Sequence, residues 1–589
     1  MNDNYQASTN LHSLMAKQAP RRTALIVRHS PFIALLGLLS AAMLLSVLPV
    51  ASGQASADDQ PVVVRISNIS PADAQRLIKQ GVDLLEARDG PDLFALATSD
   101  QQTALREAGW DIHIEAHQTM LLQNSQPFTV SGGYRSVEET EQFLRDRAAR
   151  YPHVAMLADF GDSWQRQQSN GAAGYDLLAL RLTNRDIAGP KPVFFLMAAI
   201  HAREWTTAEI ATRFIDHLLI NYNIDPDVTW LLNEHEIVVA PMLNPDGRKI
   251  AEQGYLQRKN VNPGSGDACK FPPSASNQYG VDLNRNSSFF WNSAGTSQDP
   301  CSQVFPGSGP ASEPETQALQ AFITALYPAR PRPANGAPAP DDTSGVLISL
   351  HSYSNLILWP WGYTSSPAPN AVALERLGRR FARYNDYTAH QSKDLYLTSG
   401  TTDEWAYAEL GIAAYTFEIG PMEGPCAGFT PPYSCLDGGV GGSFWPRNLP
   451  ALLYAARVAH APYTLPAGPD VSNIAVINDT KTLTVTATFD GRDQIVSAAE
   501  LSFSRSGEAG SEVFALQALD GAFDSYQEQA QLILPMSALL KANTPRVSIA
   551  LLRGRNVAGA WGPMSATWLK EPYRVWAPLV EQSAQRNNP

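Results

Sequence analysis

A chain of 589 residues is too long for one hydrophobic core and must fold as several domains. Its 57 acidic residues outnumber 44 basic ones, leaving a formal net charge of −13, and no Lys/Arg-rich block offsets the excess. Such a balance argues against nucleic acid as a partner, because a phosphate backbone would be repelled.

Residues 1–57 have the layout of an export signal. Arg21, Arg22 and Arg28 precede an apolar stretch over residues 32–50, and Ala55-Ser56-Ala57 offers small residues for cleavage before Asp58. Arg21-Arg22 adds a weak twin-arginine feature. Because the stretch approaches membrane-spanning length, an uncleaved anchor competes with cleavage. Cleavage would give a secreted, extracellular or periplasmic protein with no membrane contact afterwards.

Residues 58–122 read as a small α+β domain. Strand patterns cover 62–66, 82–86, 93–97 and 110–114, with helical patterns over 72–80 and 100–108, an order that suits an open sandwich. A linker is expected over 123–133. From Tyr134 to about Pro462, apolar runs such as 237–240, 346–350 and 413–417 alternate with helical patterns such as 137–149 and 371–384. Alternation of this kind predicts an α/β fold around a largely parallel or mixed sheet. The Pro-rich stretch 328–340 interrupts it as a surface insertion. Over 467–575 the texture changes to alternating β-branched residues, as in 482–489 and 547–552, which predicts a β-sandwich. No internal repeat suggests a solenoid.

All four cysteines, Cys269, Cys301, Cys426 and Cys435, fall in the middle region. An even number in an exported chain favours disulfides, with three formal pairings. Cys426 and Cys435 bracket a Gly/Pro-rich stretch suited to a local staple, which leaves Cys269 with Cys301. A cysteine metal site is disfavoured because no C-x-x-C occurs.

The apolar run 193–200 leads into His201-Ala-Arg-Glu204 and then Thr206-Thr-Ala-Glu209, which reads as a buried strand, a turn and a helix start with a capping box. A histidine and a carboxylate three apart at the end of a sheet strand can face one point outside the sheet, where open α/β folds bind ligands. Those two ligand types suit zinc. The run 346–350 ends in His351 and the run 413–417 ends in Glu418. Buried charge must be paired or metal-bound, so these three strand ends are expected to converge on a cation. His217 and His235 read as helix or surface residues.

From Tyr134 to about Pro462 the chain resembles the zinc metallocarboxypeptidases of the carboxypeptidase A/B family. The likeness is carried by His201-Ala-Arg-Glu204, Asn244-Pro-Asp-Gly247, Arg258-Lys259, Gly280-Val-Asp-Leu-Asn-Arg285, Ser312-Glu-Pro-Glu315, His351-Ser-Tyr353, Tyr396 before Ser399-Gly400, and Glu418. It implies a mixed eight-stranded sheet flanked by helices and one zinc ion held by His201, Glu204 and His351, with a fourth position open to water. Asp282 would orient His201 from its other nitrogen, and Glu418 would be the general base. Arg258 would stabilise the oxyanion, with Lys259 beside it as the alternative register. Asn284 and Arg285 would grip a terminal carboxylate under Tyr396, while Arg203, Ser352 and Tyr353 would line the next subsite outward. Asp403 falls where carboxypeptidase B-like members carry an acid that pairs a C-terminal Lys or Arg, in a pocket completed by Leu358, Gly362 and Thr398. With Glu404 next to it, strict basic and dual basic/apolar preference both stay open.

The family's inhibitory prosegment has the element order of residues 58–122, which would otherwise be a permanent accessory domain. Peptides or proteins with a free C-terminus are the implied partners, and the β-sandwich would offer contact with a surface or polymer. Two other functions compete: a zinc amidohydrolase acting on murein peptides, and a binding protein that has lost its chemistry. The first is opposed by the Asn284-Arg285-Tyr396 set, and the second by the presence of every ligand and the base. A serine hydrolase is excluded by the lack of G-x-S-x-G.

Overall fold

The computed structural model describes residues 61–123, 132–264, 269–273, 277–327, 337–479, 481–503, 512–535 and 549–569. The expected export signal, most of the 123–133 linker and most of the Pro-rich insertion lie outside the described residues.

Four antiparallel strands, β1 (Val62–Ile66), β2 (Asp83–Asp89), β3 (Asp92–Ala97) and β4 (Ile112–Ile114), form an N-terminal sheet in the order β2-β3-β1-β4. Helices Pro71–Lys79 and Ser99–Glu107 each start with a capping box, Ser70 with Asp73 and Thr98 with Gln101. Strand alternation sorts the side chains by face. Val64, Ile66, Leu93 and Ala95 pack with Leu77, Ile78 and Leu105 of the helices. Val63, Phe94 and Leu96 pack on the opposite side with Tyr353 and Phe429 of the following domain. Strand β2 is irregular: Leu84 pairs with Ala95 and Arg88 with Leu93, so Leu85, Glu86 and Ala87 together face only Phe94. A bulge of this kind bends the strand and re-aims its side chains.

The second domain is built on eight strands: β5 (Ala155–Asp162), β6 (Asp176–Leu182), β7 (Val193–Ala198), β8 (Glu236–Ala240), β9 (Val346–His351), β10 (Leu356–Trp359), β11 (Thr388–Gln391) and β12 (Ala413–Glu418). Their order is β11-β10-β12-β9-β7-β8-β6-β5. The centre, β12-β9-β7-β8, is parallel, and antiparallel pairing at β10/β12 and β6/β8 makes the sheet mixed. Every residue of β7, β9 and β12 is buried, the continuous apolar pattern of strands covered on both faces. The covering helices include Trp205–Asn221, Ala371–Asn385 and Phe444–Val458. Among the described residues, this core draws on side chains from Tyr134 to Ala566 and on none from 61–123, so the domain has a hydrophobic interior of its own. No described helix is long and apolar enough to cross a membrane.

After Pro469, two four-stranded sheets enclose Leu483, Val485, Phe489, Leu501, Leu532 and Leu552. They dock on the central domain through Asp227, which accepts from Arg457 Nη2 and from the Ala566 N–H, each at 2.7 Å, and through Arg380 to Asp470 at 3.1 Å. Disulfides join Cys269 to Cys301 and Cys426 to Cys435, the pairing favoured by spacing.

Candidate active site

Strand β7 ends at Ala198, and the turn that follows carries His201 and Glu204. The helix behind it does not begin with the expected Thr206/Glu209 capping box. It begins at Trp205 with Glu204 in the cap position, because Thr207 Oγ1 is used in the turn: it donates to the Glu204 carbonyl at 2.8 Å and accepts from the Ala199 N–H at 3.1 Å. Glu209 instead pairs with Arg135. The turn is therefore tied to the helix by a hydroxyl, which holds the Glu204 side chain toward the sheet end.

There His201, Glu204 and His351 meet, each with a ligand atom within 4.8 Å of the others. His201 Nδ1 lies 2.7 Å from Glu204 Oε1 and 3.1 Å from His351 Nδ1, and Glu204 Oε2 lies 3.3 Å from His351 Nδ1. Two imidazole nitrogens and a carboxylate facing one point form a donor set suited to zinc. Charge points the same way. The carboxylates of Glu86, Glu204 and Asp282 gather with Glu418 around the two imidazoles, a cluster of acids that a divalent cation would help to balance.

Asp282 Oδ1 lies 3.3 Å from His201 Nε2, and its other oxygen accepts from Arg258 Nε at 3.0 Å. Burial alone would raise the Asp282 carboxyl, but Arg258 and His201 outweigh it and hold the group well below the usual range. Glu204 follows the same logic, with burial overcome by the two imidazoles. Glu418, beside His351 in the β12/β9 register, goes the other way: burial, then the carboxylates of Glu86 and Glu204, push it well above the ordinary range. A buried acid at the end of a strand, short of positive charge, is poised to hold a proton.

It is Arg258 whose guanidinium reaches this cluster. Lys259 turns away and donates to the carbonyls of Pro300 and Ser302 at 2.8 and 2.7 Å. Arg285 Nη2 contacts the Tyr396 hydroxyl at 3.3 Å, and both line one cleft with Asn284, His201, His351 and Glu418. The amide oxygen of Asn284 accepts from the Thr402 N–H at 3.1 Å. The same cleft is also lined by Leu358, Thr398, Thr401, Thr416 and Asp403. Burial raises the Asp403 carboxyl, and a hydrogen bond from Thr401 opposes the shift only in part. Gly362 gives its N–H to Glu404 at 2.5 Å and adjoins Thr398 and Ser392 of the cleft lining, where a side chain would collide with Thr398. The Ser352 N–H lies 3.3 Å from Glu204 Oε2, the Tyr353 ring packs edge-on to Phe429 at 5.1 Å, and Arg203 stacks over Phe429 at 4.0 Å.

Sequence reasoning missed the acids that reach this cleft from the N-terminal domain. Glu86, lifted out by the bulge in β2, accepts from Arg258 Nη1 at 3.0 Å and lies 3.5 Å from the Tyr396 hydroxyl. Asp83 meets Arg203 at 3.4 Å. The available signal was two carboxylates inside the apolar run Val82-Asp-Leu-Leu-Glu-Ala87, where a strand packed on both faces has no solvent for them.

A mixed α/β sheet bearing a buried His-Glu-His group at the carboxyl ends of its parallel strands defines a metallohydrolase-type architecture. The family model described as zinc carboxypeptidase matches residues 140–438. A zinc carboxypeptidase of Saccharothrix mutabilis subsp. capreolus is 30% identical over 402 residues, covering 64% of this chain and 86% of that protein. Human carboxypeptidase O is 28% identical over 295 residues, covering 49% and 70%. The crystal structure of carboxypeptidase A from Helicoverpa armigera superposes with a TM-score of 0.53 at 22% identity, covering 69% of this chain and 98% of that one. The chain thus belongs to the zinc carboxypeptidase family and is a metallocarboxypeptidase hydrolase.

Proposed function

We propose that this is an exported enzyme that removes a C-terminal residue, preferentially Lys or Arg, from peptides and proteins. The observation that carries this reading is the placement of Arg285 and Tyr396 in the same cleft as His201, His351 and Glu418. A guanidinium that can hold a terminal carboxylate beside a metal-type donor set makes an exopeptidase.

His201, Glu204 and His351 hold zinc, which when bound supplies a Lewis acid for the scissile carbonyl and acidifies water. Asp282 fixes the orientation of His201 and, through Arg258 Nε, that of the guanidinium. Arg258 steadies the oxyanion that develops on the carbonyl. Glu418 takes a proton from the attacking water and delivers it to the departing amine, a role suited to a carboxyl buried at the sheet end in the same cleft as His201 and His351. Asn284, Arg285 and Tyr396 bind the substrate's terminal carboxylate. The buried Asp403 pairs with a basic side chain; without one its charge has little support. The leader-like segment and the two disulfides support an oxidising, extracytoplasmic location.

Residues 61–123 act as an inhibitory prosegment. Glu86 occupies Arg258 and approaches Tyr396, and Asp83 occupies Arg203, so the residues needed for substrate are engaged from within the chain.

The test is Glu418→Gln in a zinc-loaded chain freed of residues 1–131. Hydrolysis of a peptide ending in Arg should fall by about 10²- to 10⁴-fold while bound zinc is unchanged. Near-normal turnover would remove Glu418 from its role, and activity that survives a chelator would remove zinc.

A further inference from the structure

Strand β2 crosses the cleft in a definite order. Asp83 faces Arg203 at 3.4 Å, and Leu85 joins the cluster of Tyr353 and Phe429. Glu86 stands on Arg258 at 3.0 Å, with its carbonyl accepting from Ser354 Oγ at 2.6 Å. Arg88 then donates to the Leu395 carbonyl at 2.8 Å, next to Tyr396. A substrate lying from its upstream residues toward its terminal carboxylate would pass the same groups in the same sequence. Read as a removable inhibitor, the segment is also an imprint of the substrate.

Arg203 is fully buried, and Asp83 is the only acid paired with it among the described residues. Its Nε and Nη2 atoms have no hydrogen-bond partner among the described residues. The Phe429 ring beneath it at 4.0 Å fixes the plane of the guanidinium and leaves those donors pointing along its edge. Departure of residues 61–123 therefore uncovers a rigid, uncompensated cation beside the cleft. We infer that Arg203 recognises an acidic side chain of the substrate upstream of the cleaved bond, so that the favoured peptides carry Asp or Glu there in addition to their C-terminal basic residue. Glu86 marks the scissile position and Asp83 precedes it by three residues, which places the acidic residue within three of the bond. A carboxylate can engage two donors of a guanidinium at once, whereas an amide offers one neutral acceptor.

This inference rests on residues 61–123 being a removable inhibitor of a carboxypeptidase site. The experiment uses the chain beginning at Gly132, whose central core contains no residue of the removed segment, loaded with zinc. Peptides ending in Arg carry Glu, Gln or Lys at each of the three positions before the cleaved bond. At one position kcat/KM for Glu should exceed that for Gln by about tenfold, carried by KM, with Lys lower still. The Glu/Gln ratio should shrink as sodium chloride is raised, a readout that needs no substitution. It should approach one in Arg203→Gln. Equal values for Glu and Gln at all three positions, with hydrolysis intact, overturn the role of Arg203 and leave the carboxypeptidase reading standing. A folded, zinc-loaded chain that cleaves none of the peptides overturns both.

Discussion

Asp403 and Glu404 are adjacent in the chain, yet only Asp403 lines the cleft. Glu404 Oε1 accepts from the N–H groups of Gly362 and Tyr363 at 2.5 and 2.9 Å, which commits it to holding that loop. With Glu404 engaged elsewhere, Asp403 is the one of the two that faces the cleft, and burial makes it costly to ionise without a cation; the proposed basic preference assigns it the departing side chain. Asp403→Asn should therefore lower kcat/KM for a peptide ending in Arg by roughly thirtyfold, about 2 kcal/mol, relative to one ending in Phe. Equal losses for both peptides would rule out selection by charge. The candidate residues themselves were legible in sequence because each ends an apolar run or sits in an ordered motif. The pairing of Arg258 rather than Lys259 with Asp282 was not, since adjacent side chains diverge according to local backbone direction, which periodicity alone does not give.

Elements were readable where burial is one-sided or complete. Strands β7, β9 and β12 announced themselves as unbroken apolar runs, and the ends of helices 137–150 and 371–385 fall within a residue of the pattern. The start of helix Trp205–Asn221 was misread, because local capping chemistry gave way to the demands of a turn that orients Glu204. Helix Pro314–Leu326 carries a testable strain of its own. Glu315 in its first turn is buried and pushed up to about 8 by burial, with Glu313 and Asp246 adding to it, although the Trp164 N–H donates to it at 2.8 Å. The folded state holds this proton more tightly than the unfolded chain, so stability is fully present below the ordinary carboxyl range and declines as pH rises toward about 8. Glu315→Gln retains an acceptor for Trp164 and removes the titration. Thermal unfolding from pH 5 to 9 should fall more steeply for the natural chain than for the variant, and parallel curves would contradict this account.

At the scale of the whole molecule, the α/β sheet and the β-sheets that follow it were legible from periodicity, whereas the contacts between distant segments were not. The bond from Arg258 to Glu86 spans 172 residues, a separation that no local pattern encodes. If residues 61–123 restrain the enzyme, the full chain should hydrolyse a peptide ending in Arg at least about tenfold more slowly than the chain beginning at Gly132, and Glu86→Ala in the full chain should recover part of the difference. Equal initial rates for the two chains would make the segment an accessory domain. The irregular ladder between Leu84 and Arg88 carries a further implication, because four steps along β2 are matched by two along β3. Shortening β2 by those two extra residues would let the ladder close while withdrawing Glu86 from the Arg258 guanidinium. If residues 61–123 restrain the enzyme, its latency is set by how many residues the strand contains, and a small in-frame deletion, with no protease involved, should yield a permanently awake enzyme.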